Sequence, residues 1–370
     1  MTIIDLELTN FRLHKSTCLS FSENLNFIVG GNGQGKTSIL EAVYYLGTTK
    51  NLLQSLDSEV VSFGESFFKV SGNINGFIKN NAVSYYDLQT NKKNYFLDGK
   101  QINKSASVIG KFPLVTITPT DHLITHGAPS ERRKFVDSVI SQTSETYLNI
   151  LLDYNKTLRQ RSSLLQQISE RQDKELIKQL DVWSENLVFY GSEIIKHRFV
   201  FIEKFKDYIS EAYNNLLEGN EKPEIKYISY GSFDIDKIKE EFSQLLDKRR
   251  NEELRRCTNL VGPHRDDFLF TINNLELKKF GSQGQHKTFQ IALKFGQFFY
   301  IQDKQNTSPV FLMDDIFGEL DTFRAYKISK YLKNIGQAFI TLTDLSNIKK
   351  LNIEETAKMI NIKDGKVIAV

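Results

Sequence analysis

The chain has 370 residues, 40% of them hydrophobic and 25% charged, with a formal net charge of +3. That length admits two or three domains of roughly 150 residues each, and no apolar run approaches the roughly 20 residues that cross a bilayer. So small a charge does not by itself require a nucleic-acid partner. Cys18 and Cys257 lie far apart without metal-ligand spacing, which argues against a disulfide scaffold or a zinc site and fits a reducing cytoplasm.

The opening MTIIDLELTNF alternates as a strand does and lacks the basic flank of a signal peptide. Leu25, Phe27, Ile28 and Val29 then read as a buried strand, and Ile39, Leu40, Val43 and Leu46 repeat with helical spacing. Between them lie Gly30, Gly31, Asn32, Gly33, Gln34, Gly35, Lys36, Thr37 and Ser38, with the spacing G-x-x-x-x-G-K-T. Glycines let successive backbone N–H groups turn inward on an anion, and a helix starting near Lys36 adds its positive end. The Lys36 ammonium is expected to reach the outer phosphates of a nucleoside triphosphate and the Thr37 hydroxyl to ligate Mg²⁺. A glycine-rich turn with a chance lysine is the plain alternative, and the strand and helix on either side disfavour it.

Further strands are expected at 67–70, 83–87 and 95–97, with a hairpin turn at Asp98-Gly99 and a short apolar strand in 112–119. From Ser130, a candidate N-cap, to Arg256 the periodicity is helical: three to five helices, some longer than about 20 residues, forming an antiparallel arm. Residues 131–256 carry 22 lysines and arginines against 23 acids, a net of −1, so the arm is no basic glove. Arg132 and Arg133 at its start suit DNA phosphates or helix-surface salt bridges equally. Lys248, Arg249, Arg250, Arg255 and Arg256 are interleaved with glutamates and read as a solvated face.

Beyond Cys257 the strand-like runs return. LVGPHRDDF contains His264, which has no nucleophile at useful spacing and is expected to make structural hydrogen bonds. VFLMDD reads as a buried strand ending in two acids. Asp314 fits the group that positions Mg²⁺, and Asp315 the group that orients or deprotonates the attacking water. Ser282, Gly284 and Gln285 stand at the start of another amphipathic helix, a second helix end able to face an anion. One chain does not need two such ends for one ATP, but a head-to-tail pair of chains does. ITLTD and a terminal hairpin around Asp364-Gly365 follow. The layout divides into 1–130, the arm at 131–256, and 257–370.

The order phosphate loop, S-x-G-Q, strand ending in DD, then G-E-L-D resembles the ABC-type ATPase heads of DNA-repair and chromosome-maintenance proteins. Within them, TNFRLHKS, ITPTDHLITHGAPSERRKFVD, LVGPHRDDF, GSQGQ and ITLTD are similar to the RecF family of bacterial recombination mediators. The resemblance implies an α/β fold: an ABC-type P-loop ATPase head split in sequence by an inserted all-helical arm. It implies ATP and Mg²⁺ as cofactors, an ATP-dependent homodimer that holds DNA at single-strand gaps and junctions, and slow, DNA-stimulated hydrolysis as a switch. RecR and RecO are the implied partners in loading RecA, with roles in replication restart and the SOS response in the cytoplasm. It also implies a nucleotide contact for Arg12 and communication between heads for Asp321, with Thr343 and Asp344 where such ATPases often carry a switch histidine. Here Thr120 replaces the first of two acids before Asp121, and KNLLQSLDSEV offers Lys50 but no arginine near the nucleotide. An ABC transporter's nucleotide-binding subunit shares these motifs, and a P-loop kinase shares the loop and Asp314.

Overall fold

Three short runs, LNFIV, VFLM and AFITL, are almost wholly apolar, and a strand with no polar face must be covered on both sides. In the computed structural model, which describes residues 1–370 except 54, 77, 172, 218–220, 231–233, 320–321, 333–334, 344–356 and 370, each is a fully buried strand. They lie in a six-stranded sheet ordered Lys366–Ala369, Lys358–Lys363, Leu25–Val29, Ala338–Leu342, Val310–Met313, Leu114–Ile117. All neighbours run parallel except the terminal hairpin. The C-terminal ends of five strands therefore share one edge, where ligands of parallel sheets bind.

A second, antiparallel sheet runs His14–Ser20, Asp5–Phe11, Phe67–Asn75, Lys79–Asp87, Lys92–Leu97, Lys100–Gln101, with Thr2–Ile3 also on Phe67–Asn75. The helix Lys36–Thr48 shares one core with both sheets through Ile39, Leu40, Ala42, Val43, Tyr45 and Leu46. The rings of Phe11, Tyr45 and Phe68 meet edge to face at 5.4–5.8 Å. Each such buried side chain contributes about 1.5–3 kcal/mol, so the helix is firmly seated. Both Asp-Gly turns fall where expected: Asp98 and Gly99, and Asp364 and Gly365, all have positive φ, as two-residue hairpins of this hand require.

The chain forms two compact units, Met1–Asp121 with Glu211–Gly219 and Ile291–Val370, and His122–Ser210 with Asn220–Gln290. The second unit runs past the boundary drawn at 256, through the strand Asp267–Ile272. Its first long helix begins at Pro129 with Ala128 as N-cap, not at Ser130, because proline lacks only an N–H that no helical carbonyl would take there. Helices Glu145–Arg171 and Lys174–Leu216 run antiparallel: Tyr147 meets His197, Arg161 meets Ser184, and Leu164, Leu165 and Ile168 cluster with Leu180. An all-helical arm is not what forms. Pro223–Ile228 alternates buried and exposed residues with period two and pairs with Asp267–Ile272, which pairs in turn with Leu275–Glu276. No described helix is long and apolar enough to cross a membrane.

This unit is tied by polar groups as much as by apolar ones. Arg161 donates to Glu253 (2.6 Å), Asn259 (2.6 Å) and Ser184 (3.0 Å), and Glu253 also accepts the Leu260 N–H at 2.7 Å. Both charges are buried, Arg161 at 1% and Glu253 at 0% exposure. Removing one partner strands the other without water. Arg161→Met is therefore expected to cost about 3–5 kcal/mol, read as a lower urea midpoint, with much of the loss recovered in Arg161→Met/Glu253→Leu.

Candidate nucleotide site

Strand Leu25–Val29 hands the chain to Gly30, whose N–H donates to the Leu342 carbonyl at 3.2 Å. A Cβ at Gly30 would lie 2.3 Å from the Ile362 carbonyl oxygen, so the close approach of the neighbouring strand demands glycine. Gly35 has φ 99°, in the left-handed region, and turns the chain into helix Lys36–Thr48. That helix has no side-chain cap and no acid in its first turn. Its leading N–H groups and positive end are left for an anion. The Lys36 ammonium donates to the Gly30 and Gly31 carbonyls at 2.6 and 2.8 Å. Burial lowers its pKa, and the charges of Asp315 and Asp314 partly restore it.

Asp314 follows strand Val310–Met313 and is 8% exposed. Thr37 donates to its two oxygens at 2.9 and 3.1 Å, and Thr341 donates to Oδ1 at 2.8 Å. Two hydroxyl donors thus hold the accepting Asp314 carboxylate in place. The Thr341 hydroxyl also accepts the Asp315 N–H at 2.8 Å, and Asp315 has φ 48°. Hydroxyl and carboxylate oxygens at Thr37 and Asp314 are the hard donors that Mg²⁺ takes. No cluster of three or more histidine, cysteine or acidic side chains that could hold a metal occurs among the described residues. Such a sparse set suits an ion completed by phosphate oxygens and water.

A cavity of about 320 Å³ is lined by Leu13, residues 32–38, Pro119, Asp314 and Asp315. It thus brings together the loop and both acids. Arg12 is not among its walls: its guanidinium makes a bidentate pair with buried Glu41 (2.9 and 3.0 Å) and donates to the Glu59 carbonyl and Ser55. Asp121 accepts the Thr118 N–H and pairs with Lys294, each at 2.7 Å. Thr341 escaped the sequence reading. Its only signal was a hydroxyl inside an otherwise apolar strand.

Ser282 and Gln285, in the second unit, form a reciprocal cap. The Ser282 N–H donates to Gln285 Oε1 at 2.8 Å, and the Gln285 N–H donates to Ser282 Oγ at 3.2 Å. Gln285 Nε2 also donates to Glu221 at 2.8 Å. The S-x-G-Q spacing thus starts helix Gln283–Gln305 in its own right, with Gly284 in its first turn and no acid there. Asp321 and Asp344 lie outside the described residues.

His264 is structural, as its sequence context suggested. Its Nδ1 accepts from the Tyr154 hydroxyl at 2.7 Å and its Nε2 faces the Asn259 carbonyl at 3.2 Å, while burial pushes its pKa down to about 4. Arg132 is bidentate on Asp267 (2.6 and 2.9 Å), and Arg133 donates to the Asp266 carbonyl at 2.6 Å. Arg249 and Arg256 pair with Glu252, and Arg250 with Asp181.

The family model described as "RecF/RecN/SMC N terminal domain" matches residues 2–367. The DNA replication and repair protein RecF of Chloroherpeton thalassium is 36% identical over 364 residues, covering 95% of this chain and 98% of the relative. That of Agathobacter rectalis is 36% identical over 371 residues, covering 99% of both. The solved structure of the recombination mediator RecF with ATP, in the RecFOR pathway, superposes with a TM-score of 0.91 at 33% identity, over 100% of this chain and 97% of that one. An Smc head bound to the C-terminal winged helix of ScpA covers 100% of this chain and 98% of its own, at a TM-score of 0.59 and 16% identity, a likeness of fold alone. With an uncapped phosphate loop, paired acids on the adjoining sheet edge and end-to-end similarity to these proteins, the chain belongs to the RecF family.

Proposed function

We propose that the chain is an ATP-dependent DNA-binding protein of recombinational repair. The convergence of residues 32–38, Lys36 and Thr37 among them, with Asp314 on one cavity carries this reading. Relatives of similar length are DNA replication and repair proteins, and a solved relative holds ATP. ATP with Mg²⁺ sits on the loop, held by its N–H groups, Lys36, Thr37 and Asp314. Asp315 orients the attacking water. Two chains close head to tail on two nucleotides, the Ser282 helix end of each facing the γ-phosphate of the other. The closed pair grips DNA at single-strand gaps and junctions, works with RecR and RecO in loading RecA, and slow hydrolysis reopens it. Arg12 acts through Glu41, steadying the turn beside the loop, and Asp321 communicates between heads.

Lys36→Met removes charge-assisted hydrogen bonds worth about 1.5–3 kcal/mol. Affinity for ATP, measured by calorimetry, should fall roughly 10- to 100-fold while the thermal transition stays in place.

Asp315→Asn keeps a residue that tolerates the left-handed backbone at this position. Nucleotide binding should persist, and single-turnover hydrolysis should slow roughly 100-fold or more, the scale of a lost general base. Unchanged turnover would move the water-orienting role elsewhere.

Ser282→Arg places a bulky cation at the helix end while sparing the Lys36 pocket. Monomer binding of ATP should be normal, with no ATP-dependent dimer by light scattering and no ATP-stimulated grip on DNA. Ser282→Ala, which loses only a cap of about 1 kcal/mol, should still dimerise. In the parent, the ATP state should show a steeper salt dependence on duplex DNA, by a log–log slope of roughly −0.9 per added phosphate contact. Equal slopes in both states, or dimers of Ser282→Arg, would sink the clamp.

A further inference from the structure

The phosphate loop is held from behind by a ring of hydrogen bonds that the nucleotide chemistry above does not use. The buried imidazole of His14 opens strand His14–Ser20, with Nε2 3.0 Å from the Gly35 carbonyl oxygen and Nδ1 3.1 Å from Thr17 Oγ1. The Thr17 hydroxyl donates to the Gly365 carbonyl at 3.2 Å, and the Gly365 N–H donates to the Gln34 carbonyl at 3.1 Å. The Asp364 N–H donates to Gln34 Oε1 at 2.5 Å. The ring closes on Gln34 and Gly35, the two residues before Lys36. A Cβ at Gly35 would come 2.9 Å from His14 Nε2, so ring and loop are in direct contact.

Counting protons around this ring leaves one short. The Gly35 and Gly365 carbonyls only accept. The Gly35 carbonyl needs a proton on His14 Nε2, and Thr17 has one hydroxyl proton for which the Gly365 carbonyl and His14 Nδ1 compete. A neutral ring therefore leaves one of those two acceptors without a proton. A second proton, on Nδ1, satisfies every contact. Burial opposes that charge and holds the His14 pKa below its ordinary value of 6.5, while the Gly35 and Gly365 carbonyls pull it back up. The charged groups on the elements packed here are engaged or exposed. Arg12 pairs with Glu41, Lys15 with Glu65, and Lys36 with loop carbonyls; Asp364 and Lys366 are exposed on the hairpin.

We infer that His14 is a positioning residue of the phosphate loop that takes up a proton from solvent when the loop takes an anionic phosphate chain. The inference rests on reading Gly30–Ser38 as a nucleotide site. Phosphate charge on the amides next to Gly35 favours the imidazolium, and the imidazolium fixes the Gly35 carbonyl and hence the loop. The sign follows from linkage. Nucleotide raises the His14 pKa, so the added affinity is full below the nucleotide-free value and is lost as pH rises through the bound value. That lower edge lies under 6.5.

The test is calorimetric titration of the native chain and of His14→Gln with MgADP, from pH 5.5 to 8.5, in two buffers of different ionisation enthalpy. Glutamine can donate to Gly35 but cannot take the proton. Relative to His14→Gln, the native chain should take up a fraction of a proton per nucleotide, and its Kd should rise by up to tenfold per pH unit across the window. A purely structural role would weaken the variant equally at every pH, and parallel profiles would overturn the inference. Should His14→Gln not fold, the ¹⁵N shifts of the native imidazole decide. A move to the doubly protonated form on adding MgADP supports the coupling, and no move overturns it. A native chain that binds no MgADP at any pH brings down the nucleotide reading itself, an outcome distinct from parallel profiles.

Discussion

The helix Lys36–Thr48 starts with neither a cap nor an acid, and the rest of the first unit exists to keep that unsatisfied end in one place. Isolated, such a start would fray, because four amides have no partner. Here the body of the helix is sealed between two sheets, with Tyr45 wedged against Phe11 and Phe68. Apolar burial thus sustains a polar end that contributes nothing to the stability of its own helix. The same sheet brings Asp314 within hydrogen-bonding distance of Thr37, across 277 residues of sequence. Function here is a by-product of parallel strands ending on one edge.

The second unit solves a different problem. Its helices are long and polar, and its buried charges are matched one by one. Arg198 pairs with Asp137 at 2.8 Å and also donates to the Pro263 carbonyl and Asp266. Asp266 accepts from Tyr227 and Ser229 as well. Burial raises the Asp266 pKa, and the Arg198 charge and these donors pull it back. The GPHRDD run is therefore a hub joining helices to the small sheet, which gives its histidine and acids structural work.

What the sequence disclosed follows the range over which each interaction acts. The phosphate loop, the two Asp-Gly turns and the start of helix Gln283–Gln305 are set by neighbours within a few residues, and all were legible. The strand ending in Asp314 and Asp315 was legible because burial on both faces writes itself as an unbroken apolar run. The strand Pro223–Ile228 was missed, since only pairing with Asp267–Ile272 reveals what six alternating residues between helices are for. Arg132 and Arg161 could not be told from surface arginines, because their partners lie 135 and 92 residues away. Thr341 and His14 were hidden for the same reason.

The strand Lys358–Lys363 lies directly beside Leu25–Val29, and its hairpin turn bonds to Gln34 from 330 residues away. Translation is vectorial, so the ribosome releases the entire G-x-x-x-x-G-K-T segment long before the backbone that packs against Gly30 exists. A nascent chain therefore carries the motif without its grip, and contacts of such long range form late. A product cut short before residue 358 keeps the recognisable loop but lacks the strand that packs against Gly30.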